Sequence, residues 1–302
     1  MSSPEKATPT LHTDHRPWGY RWLLLRRVTQ ATILAAFLLG PLAGIWILDG
    51  NLASSSLFGH IPLTDPFVFL QSLAAGFRPG VTALVGCLIL IGFYLLVGGR
   101  TFCSWVCPIN PITDAAAWLR RRLGIKGGLP LKRDFRLWAL LACLASAWVT
   151  GALAWEYVNP VTSLMRGLLF GMGSTGILIA AIFIFDVFVA QRGWCGHLCP
   201  MGACYGIFGQ APIVRVSADK RGACTDCMDC FAVCPEPHVI RPALKTKGTP
   251  LIVSPDCTNC GRCIDVCADD VFQFTNRFNT RVNIEITDQP TRDLKISSEA
   301  DH

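Results

Sequence analysis

The sequence predicts a membrane α-helical protein with a small α+β domain at its C-terminal end. Apolar residues make up 51% of the 302-residue chain, and its mean hydropathy is +0.41. Charged residues account for only 16%, against about 25% in soluble domains. The chain also contains 15 cysteines, many of them in regularly spaced runs near the C-terminus.

The N-terminal part of the chain predicts a polar tail and then a first membrane helix. The tail, 1–27, ends in arginines and is predicted to be cytoplasmic, and its first 20 residues, which contain three prolines, are predicted to be disordered. The apolar run Val28–Leu48 is too long for a signal-peptide core and shows no A-x-A-like cleavage site. It therefore predicts an uncleaved span, with Gly40 and Pro41 as the place of a kink.

Windows of about 20 apolar residues predict four membrane spans. They are Val28–Leu48, Val81–Val97, Leu137–Trp155 and Ile177–Ala190. The shorter apolar stretch Asp65–Gly76 is about half a span and predicts an interfacial or re-entrant helix. The predicted membrane domain extends over 28–211.

The distribution of lysine and arginine predicts the orientation of these spans. Twelve basic residues lie in the N-terminal flank and in the loop between the second and third spans, whereas two lie in the other loops. Because basic residues beside spans favour the cytoplasmic side, both termini and the C-terminal domain are predicted to be cytoplasmic. Asp49, Asp65 and Glu156 then face outward as candidate proton acceptors, although charged loop residues are more often simply solvated.

An internal repeat divides the membrane domain into two halves. Arg100–Pro108 follows the second span and Arg192–Pro200 follows the fourth, and both read R-x-[FW]-C-x3-C-P. Each half is then a two-helix hairpin that ends in the same motif on the cytoplasmic side. A parallel repeat of this kind places its two motifs side by side.

The cysteines of the repeat form a candidate redox or metal site. In C-x3-C the two side chains share one face of a helix, and the following proline ends or kinks that helix. The two motifs together supply Cys103, Cys107, Cys195 and Cys199. The alternative is that these cysteines only pack the helix ends, since free cysteine behaves as a small hydrophobe.

Two longer cysteine runs predict iron–sulfur clusters. The spacing C-x2-C-x2-C-x3-C occurs from Cys224 to Cys234 and again from Cys257 to Cys267. Three thiolates at this spacing wrap a loop around three corners of a cubane, and the fourth ligates the other cluster. Paired structural zinc sites are the alternative, which two full copies of this spacing disfavour.

Crossed ligation assigns the eight cysteines to two [4Fe-4S] clusters. Cluster 1 takes Cys224, Cys227, Cys230 and Cys267. Cluster 2 takes Cys257, Cys260, Cys263 and Cys234. The first run ends in Cys-Pro and the second in Cys-Ala, a local difference that leaves the ligands unchanged.

The cysteine runs lie in a predicted dicluster ferredoxin-like domain, 212–302. Val214–Val216 and Val271–Phe274 flank the cluster loops and predict a pair of short strands. The stretch from about Thr287 is polar and predicts a loose tail. Cluster thiolates need a reducing compartment for assembly, so the cysteine count does not indicate a secreted disulfide scaffold.

Other cofactor and partner classes find no support in the sequence. It contains no C-x-x-C-H haem attachment and no G-x-G-x-x-G turn after a predicted strand. The net charge of +6 reflects membrane topology rather than nucleic-acid binding, because no basic patch with interleaved aromatic residues occurs.

The combination of four spans, two C-x3-C-P motifs and two ferredoxin runs resembles the NapH family. These are ferredoxin-type membrane quinol dehydrogenase subunits of the periplasmic nitrate reductase system. The resemblance covers nearly the whole chain and implies two [4Fe-4S] clusters, with quinol from the quinone pool as substrate. It also implies a NapG-like iron–sulfur protein and a periplasmic nitrate reductase as partners, and a location in the bacterial inner membrane.

A second hypothesis is an accessory protein that assembles or reduces a metal centre through the C-x3-C-P cysteines. The chain is also similar to the C-terminal half of the NosR family and, less closely, to CcoG, a membrane ferredoxin accessory protein of oxidase assembly. Members of both neighbouring families carry an extra domain. The first hypothesis makes the chain the quinol-oxidising subunit of a multi-protein reductase system.

Overall fold

The computed structural model describes residues 19–125, 127–129, 131–210, 212–245 and 248–278. Most of the predicted N-terminal tail and the whole of the predicted polar C-terminal tail lie outside these described residues. The described chain forms thirteen α-helices and five β-strands.

The helices and strands have the following bounds. The longer helices are α1 Arg21–Ala43, α2 Pro66–Ala74, α3 Val81–Val97, α5 Asn110–Arg122, α6 Phe135–Thr150, α8 Pro160–Phe170, α9 Gly173–Ile184 and α10 Pro200–Phe208. The short helices are α4 Thr101–Trp105, α7 Ala154–Val158, α11 Asp229–Val233, α12 Arg241–Leu244 and α13 Arg262–Val266. The strands are β1 Leu48–Gly50, β2 Ser54–Leu57, β3 Ile61–Thr64, β4 Val214–Ser217 and β5 Gln273–Asn276. Two short π-helices, Phe185–Val189 and Trp194–Leu198, precede α10.

Four apolar helices occupy the positions of the predicted spans. Among the described helices, α1 is the one that is long and apolar enough to cross a membrane, with 23 residues. The other three are shorter apolar helices: α3, α6, and α9 continued through its π-helix to Val189. The structure therefore contains the helices that the sequence predicts, although three of them are shorter than a full span.

Helix α1 begins earlier than its apolar run suggests. It starts at Arg21, inside the predicted tail 1–27, because Asp265 of the C-terminal domain caps it. The Asp265 carboxylate accepts hydrogen bonds from the backbone nitrogens of Trp22 at 3.2 Å and Leu23 at 3.0 Å. These donors have no partner within the helix, so a distant carboxylate fixes the helix start.

A three-stranded antiparallel sheet that the sequence did not predict follows α1. Its strand order is β1-β2-β3. Leu48, the last residue of the first predicted span, belongs to β1 of this sheet. Gly86 of α3 lies against it so closely that a Cβ there would come within 2.9 Å of the Thr64 hydroxyl oxygen. Helix α2 follows the sheet and confirms the helix predicted at Asp65–Gly76.

The C-terminal domain is built on the predicted pair of strands. Strand β4 pairs antiparallel with β5, and Val216 lies opposite Phe274. The second strand begins two residues later than predicted, because Val271 and Phe272 turn into the core instead. Val216, Ile240, Ile252 and Val271 form the centre of that core and are each at most 2% exposed.

Asp114 of α5 ties together four arginines from separate parts of the chain. Its carboxylate bonds to Arg192 at 3.0 Å and to Arg262 at 2.6 Å, contacts Arg27, and lies 3.9 Å from Arg26. Burial alone raises the pKa of the Asp114 carboxyl, but the arginine charges hold it well below its usual range. This single carboxylate therefore links α1, the second C-x3-C-P motif and the cysteine-rich domain.

We expect Asp114→Asn to destabilise the whole assembly. The substitution leaves several largely buried guanidinium groups without their counter-charge, and breaking a buried ion pair in this way costs about 3 to 5 kcal/mol. Thermal unfolding of the detergent-purified protein measures the effect. Asp134→Asn is the matched control, since Asp134 is exposed in the loop that follows α5. Equal midpoints for the two variants would contradict the role given to Asp114.

Candidate functional site

The eight cysteines of the C-terminal domain surround two separate cavities. One cavity is lined by Cys224, Cys227, Cys230 and Cys267. The other is lined by Cys234, Cys257, Cys260 and Cys263. Each cavity thus combines three cysteines of one run with the last cysteine of the other run. We call the first the outer cavity and the second the inner cavity.

Both cysteine loops use the same backbone conformation. Asp226 and Asn259 occupy equivalent positions in the two runs and have φ values of 57° and 46°. The next equivalent pair, Met228 and Gly261, also has positive φ values, 64° and 73°. Few L-residues adopt this left-handed region freely, so its repetition marks a loop geometry that both runs require.

A short helix precedes the last cysteine of each run and positions it at the cavity of the other run. Cys234 directly follows α11 and Cys267 directly follows α13, and both cysteines have extended backbone. The two helices pack against each other. As a result, each last cysteine is delivered to the cavity formed by the other loop.

The inner cavity has the electrostatic character that an anionic group requires. Burial raises the pKa of the Cys260 thiol, but Arg262 and Arg26 outweigh it and bring that pKa below its ordinary value. Arg26 is 0% exposed, and none of its guanidinium nitrogens has a hydrogen-bond partner among the described residues. A thiolate-bound iron–sulfur cluster would supply sulfur acceptors beside this buried cation, so the residues present fit such a group.

The two cavities differ in their surroundings. The inner cavity faces the repeat motifs: Ser104 donates to the carbonyl of Thr258 at 2.7 Å, and the Trp105 indole donates to the carbonyl of Asn259 at 3.0 Å. The outer cavity lies at the surface, where Cys227 is exposed. The domain therefore has one cavity against the helical part of the chain and one toward solvent.

The two C-x3-C-P motifs form a structural repeat. The backbone nitrogen of Cys107 donates to the carbonyl of Phe102 at 3.0 Å, and that of Cys199 donates to Trp194 at 2.9 Å. In each motif the second cysteine therefore closes a six-residue turn onto the motif aromatic residue. The proline that follows ends the first turn and begins α10 in the second, in agreement with the predicted break.

The structure brings the four motif cysteines together in one half-buried group. Burial raises the pKa of the Cys107 thiol, and Cys103 and Cys199 raise it further. Burial raises the pKa of Cys199 to about 12, and Cys103 adds to this effect. Burial and the neighbouring Cys107 also raise the pKa of Cys195. Each thiol thus interacts with others of the set, and all four need a nearby cation to exist as thiolates.

The fifteen cysteines form no disulfide with one another. Within the described ranges, no group of three or more histidine, cysteine or acidic side chains is arranged to hold a single metal ion. A four-iron cluster is larger than one ion and spreads its cysteine ligands further apart.

Arg100, the first residue of the first motif, joins the inner cavity to both motifs. Its guanidinium is 2% exposed and donates to Glu236 at 2.8 Å, to the carbonyl of Asp256 at 3.1 Å and to the carbonyl of Cys195 at 3.4 Å. Arg136 reinforces the contact through the same two carboxylates. Glu236 and Asp256 flank cysteines of the inner cavity, so Arg100 fastens that cavity to both motifs.

Sequence reasoning missed these carboxylates because their partners are more than a hundred residues away. The signal available was the arginine at the start of each motif, which recurs at Arg100 and Arg192. Asp186, an isolated acidic residue in a predicted span, also has a local role. Its carboxylate accepts a hydrogen bond from the backbone nitrogen of Trp194 at 2.9 Å and holds the second motif turn.

Family comparisons agree with these sites. The model of a 4Fe-4S dicluster domain matches residues 215–268, which contain both cavities. The model of a 4Fe-4S binding domain matches twice, at residues 79–126 and 172–218, and each match contains one C-x3-C-P motif. No solved structure matches the chain. Fold, cavities and family matches together define an iron–sulfur electron-transfer protein of the ferredoxin type.

The curated relatives identify the family. The ferredoxin-type protein NapH of Escherichia coli is 50% identical over 263 residues, 87% of this chain and 92% of the relative. The methylamine utilization ferredoxin-type protein MauN of Methylorubrum extorquens is 53% identical over 259 residues, 86% of this chain and 90% of the relative. NapH of Haemophilus influenzae is 48% identical over 87% of this chain and 93% of its own length. The chain belongs to this family of NapH and MauN ferredoxin-type proteins.

Proposed function

We propose that the chain is the membrane-bound subunit that takes electrons from quinol and passes them toward a periplasmic nitrate reductase. The observation that carries the proposal is the position of the inner cavity, which Arg100 holds against the motifs at the ends of the apolar helices. This arrangement supports a route from the membrane to the ferredoxin-type domain. The relationship to NapH supports quinol as donor and a NapG-like iron–sulfur protein as the next partner.

The proposed ligands follow from the two cavities. Cys224, Cys227, Cys230 and Cys267 would hold one [4Fe-4S] cluster, and Cys257, Cys260, Cys263 and Cys234 the other. When bound, each cluster supplies a one-electron redox centre. The chain's own contribution is to bury the inner ligands beside Arg26 and Arg262 and to leave Cys227 at the surface, where a partner can approach.

We further propose that Cys103, Cys107, Cys195 and Cys199 hold a third redox-active metal centre. Their mutual electrostatic interaction and the match of both motifs to a 4Fe-4S binding domain support this proposal over simple packing. Arg100 bonds to Glu236 beside the inner cavity and to the carbonyl of Cys195, and so holds the third centre next to that cavity.

Single serine substitutions separate the three proposed centres. Cys230→Ser should remove a ligand from the outer centre, Cys234→Ser from the inner centre and Cys199→Ser from the third. Iron and sulfide content with electron paramagnetic resonance of the reduced protein measures each loss. Cys143→Ala in α6 is the control and should keep all signals. Damage to the same cluster by Cys230→Ser and Cys234→Ser would contradict crossed ligation, and unchanged iron in Cys199→Ser would contradict a third centre.

We also propose that the four apolar helices all span the bacterial inner membrane, with both termini inside. The basic loop between α3 and α6 and the apolar length of α1 support this orientation. A reporter enzyme fused after His302 should give a cytoplasmic signal, and one inserted near His60 a periplasmic signal. A periplasmic signal from the C-terminal fusion would contradict the four-span topology.

A second candidate function comes from the MauN relatives, which are named for methylamine utilization. On this alternative the same cysteine sites would serve as a membrane ferredoxin that assembles or reduces a metal centre in another enzyme. The group of motif cysteines favours it as much as it favours quinol oxidation. The electron acceptor therefore distinguishes the two.

Quinol oxidation in membrane vesicles tests the principal proposal. Vesicles that contain the chain should oxidise added quinol when a NapG-like protein and the periplasmic nitrate reductase are supplied, and not when either is omitted. Redox titration is the companion measurement, because iron–sulfur potentials range from about −700 to +450 mV. Clusters that all titrate at the low end would exclude quinol as a useful donor and leave the accessory function.

A further inference from the structure

A buried polar group lies along α2, where that helix meets α7 and α10. Asp65 is 1% exposed and caps α2, accepting a hydrogen bond from the Phe67 nitrogen at 2.6 Å. The Tyr205 hydroxyl donates to the other Asp65 oxygen at 3.4 Å. One turn and a half along α2, Gln71 is 0% exposed and accepts from the backbone nitrogen of Trp155 at 3.3 Å.

Two strong donors in this group have no partner. Gln71 Nε2 and Trp155 Nε1 are both buried and make no hydrogen bond with any described residue. An unpaired buried donor costs about 1 to 3 kcal/mol, so two of them on residues that contact each other indicate a missing acceptor. Both are N–H groups, which repel a cation and therefore exclude a metal ion as the missing partner.

The group has the chemistry that a hydroquinone ring needs. A hydroquinone offers hydroxyl hydrogens, for which Asp65 is the acceptor, and ring oxygens, to which the Gln71 amide and the Trp155 indole can donate. Burial raises the pKa of Asp65 to about 7, and the nearby Glu156 also raises it. Phe67 and Trp155 supply aromatic surface, with ring centroids 6.1 Å apart, and Leu70 and Leu73 expose an apolar face of α2.

Aromatic contacts connect this group to both cysteine motifs. Tyr205 stacks on Phe102 at 4.9 Å with an interplanar angle of 6°. Trp155 stacks on Trp194 at 6.4 Å with an angle of 19°. Phe102 and Trp194 are the aromatic positions of the R-x-[FW]-C-x3-C-P repeat, each directly before a motif cysteine. The repeat aromatic residues thus bridge the polar group and the candidate third centre.

We propose that Asp65, Gln71 and Trp155 bind the headgroup of the quinol. The inference rests on the proposed function, since it locates the substrate of that function. It places the headgroup along α2, beside the residues that stack on the motif aromatic side chains. The two unpaired donors bind the quinol oxygens, and Asp65 accepts a hydroxyl hydrogen bond.

Binding of a fluorescent hydroxyquinoline N-oxide, a quinol analogue, tests the site. The full-length protein in lipid nanodiscs is titrated with the analogue, and quenching of its fluorescence reports binding. Gln71→Leu and Trp155→Phe each remove one donor, and we expect each to bind about tenfold more weakly. Asp65→Asn should also weaken binding, although asparagine caps a helix as well as aspartate does and so preserves α2. Asp49→Asn is the control, because Asp49 is an exposed carboxylate in strand β1.

The outcomes separate the site from the function. In one outcome the wild type oxidises quinol, and the three variants have wild-type iron content and bind the analogue as tightly as the control. The headgroup then lies elsewhere, and buried water accepts the hydrogen bonds of these donors. If the wild type neither binds the analogue nor oxidises quinol, the proposed function itself is wrong. Weaker binding in the donor variants with unchanged iron content supports the assignment.

Discussion

The buried charge of Arg100 is the constraint on which the arrangement of this protein depends. A guanidinium removed from water is stable only with carboxylates beside it, and Glu236 and Asp256 of the ferredoxin-type domain supply them. The same side chain reaches the Cys195 carbonyl of the second motif. One buried arginine therefore determines where the inner cysteine cavity lies relative to both C-x3-C-P motifs.

Arg192, the equivalent arginine of the second motif, makes a different contact. The two contacts together give a structural reason for an arginine at the start of each motif. Arg192 bonds to Asp114, which also holds Arg262 of the inner cavity and the arginines of α1. The two motif arginines thus fasten the ferredoxin-type domain through different residues, Arg100 through Glu236 and Arg192 through the Asp114 carboxylate that also binds Arg262. Charged side chains find hydrogen-bonding partners at the helix ends, where the motifs lie. The apolar helices themselves offer few such partners.

Local patterns in the sequence predicted much of the fold. Cysteine spacing indicated the sets that line the two cavities, hydropathy indicated the four apolar helices, and the strand pair at Val216 and Phe274 was predicted to within two residues. These features depend on neighbours in the chain. The start of α1 at Arg21 depends on Asp265, more than two hundred residues away, and hydropathy carries no signal for it.

The sheet of β1, β2 and β3 and the buried polar group at Asp65 could not be predicted from the sequence either. Strand β2 is rich in serine and short, so its pattern is that of a loop until its neighbours pair with it. Asp65 was noted as an outward carboxylate, but its burial depends on Tyr205 and on the packing of α2 against α6. Charge alone did not distinguish it from Asp49, which is exposed.

The central claim is that three cysteine-lined sites form one continuous group beside the apolar helices. The most direct measurement is an anomalous-scattering map at the iron edge from crystals of the anaerobically purified full-length protein. We predict two iron positions within the ferredoxin-type domain and a third between Cys107 and Cys199. Iron at the two ferredoxin sites alone, with nothing between the motifs, would contradict the account.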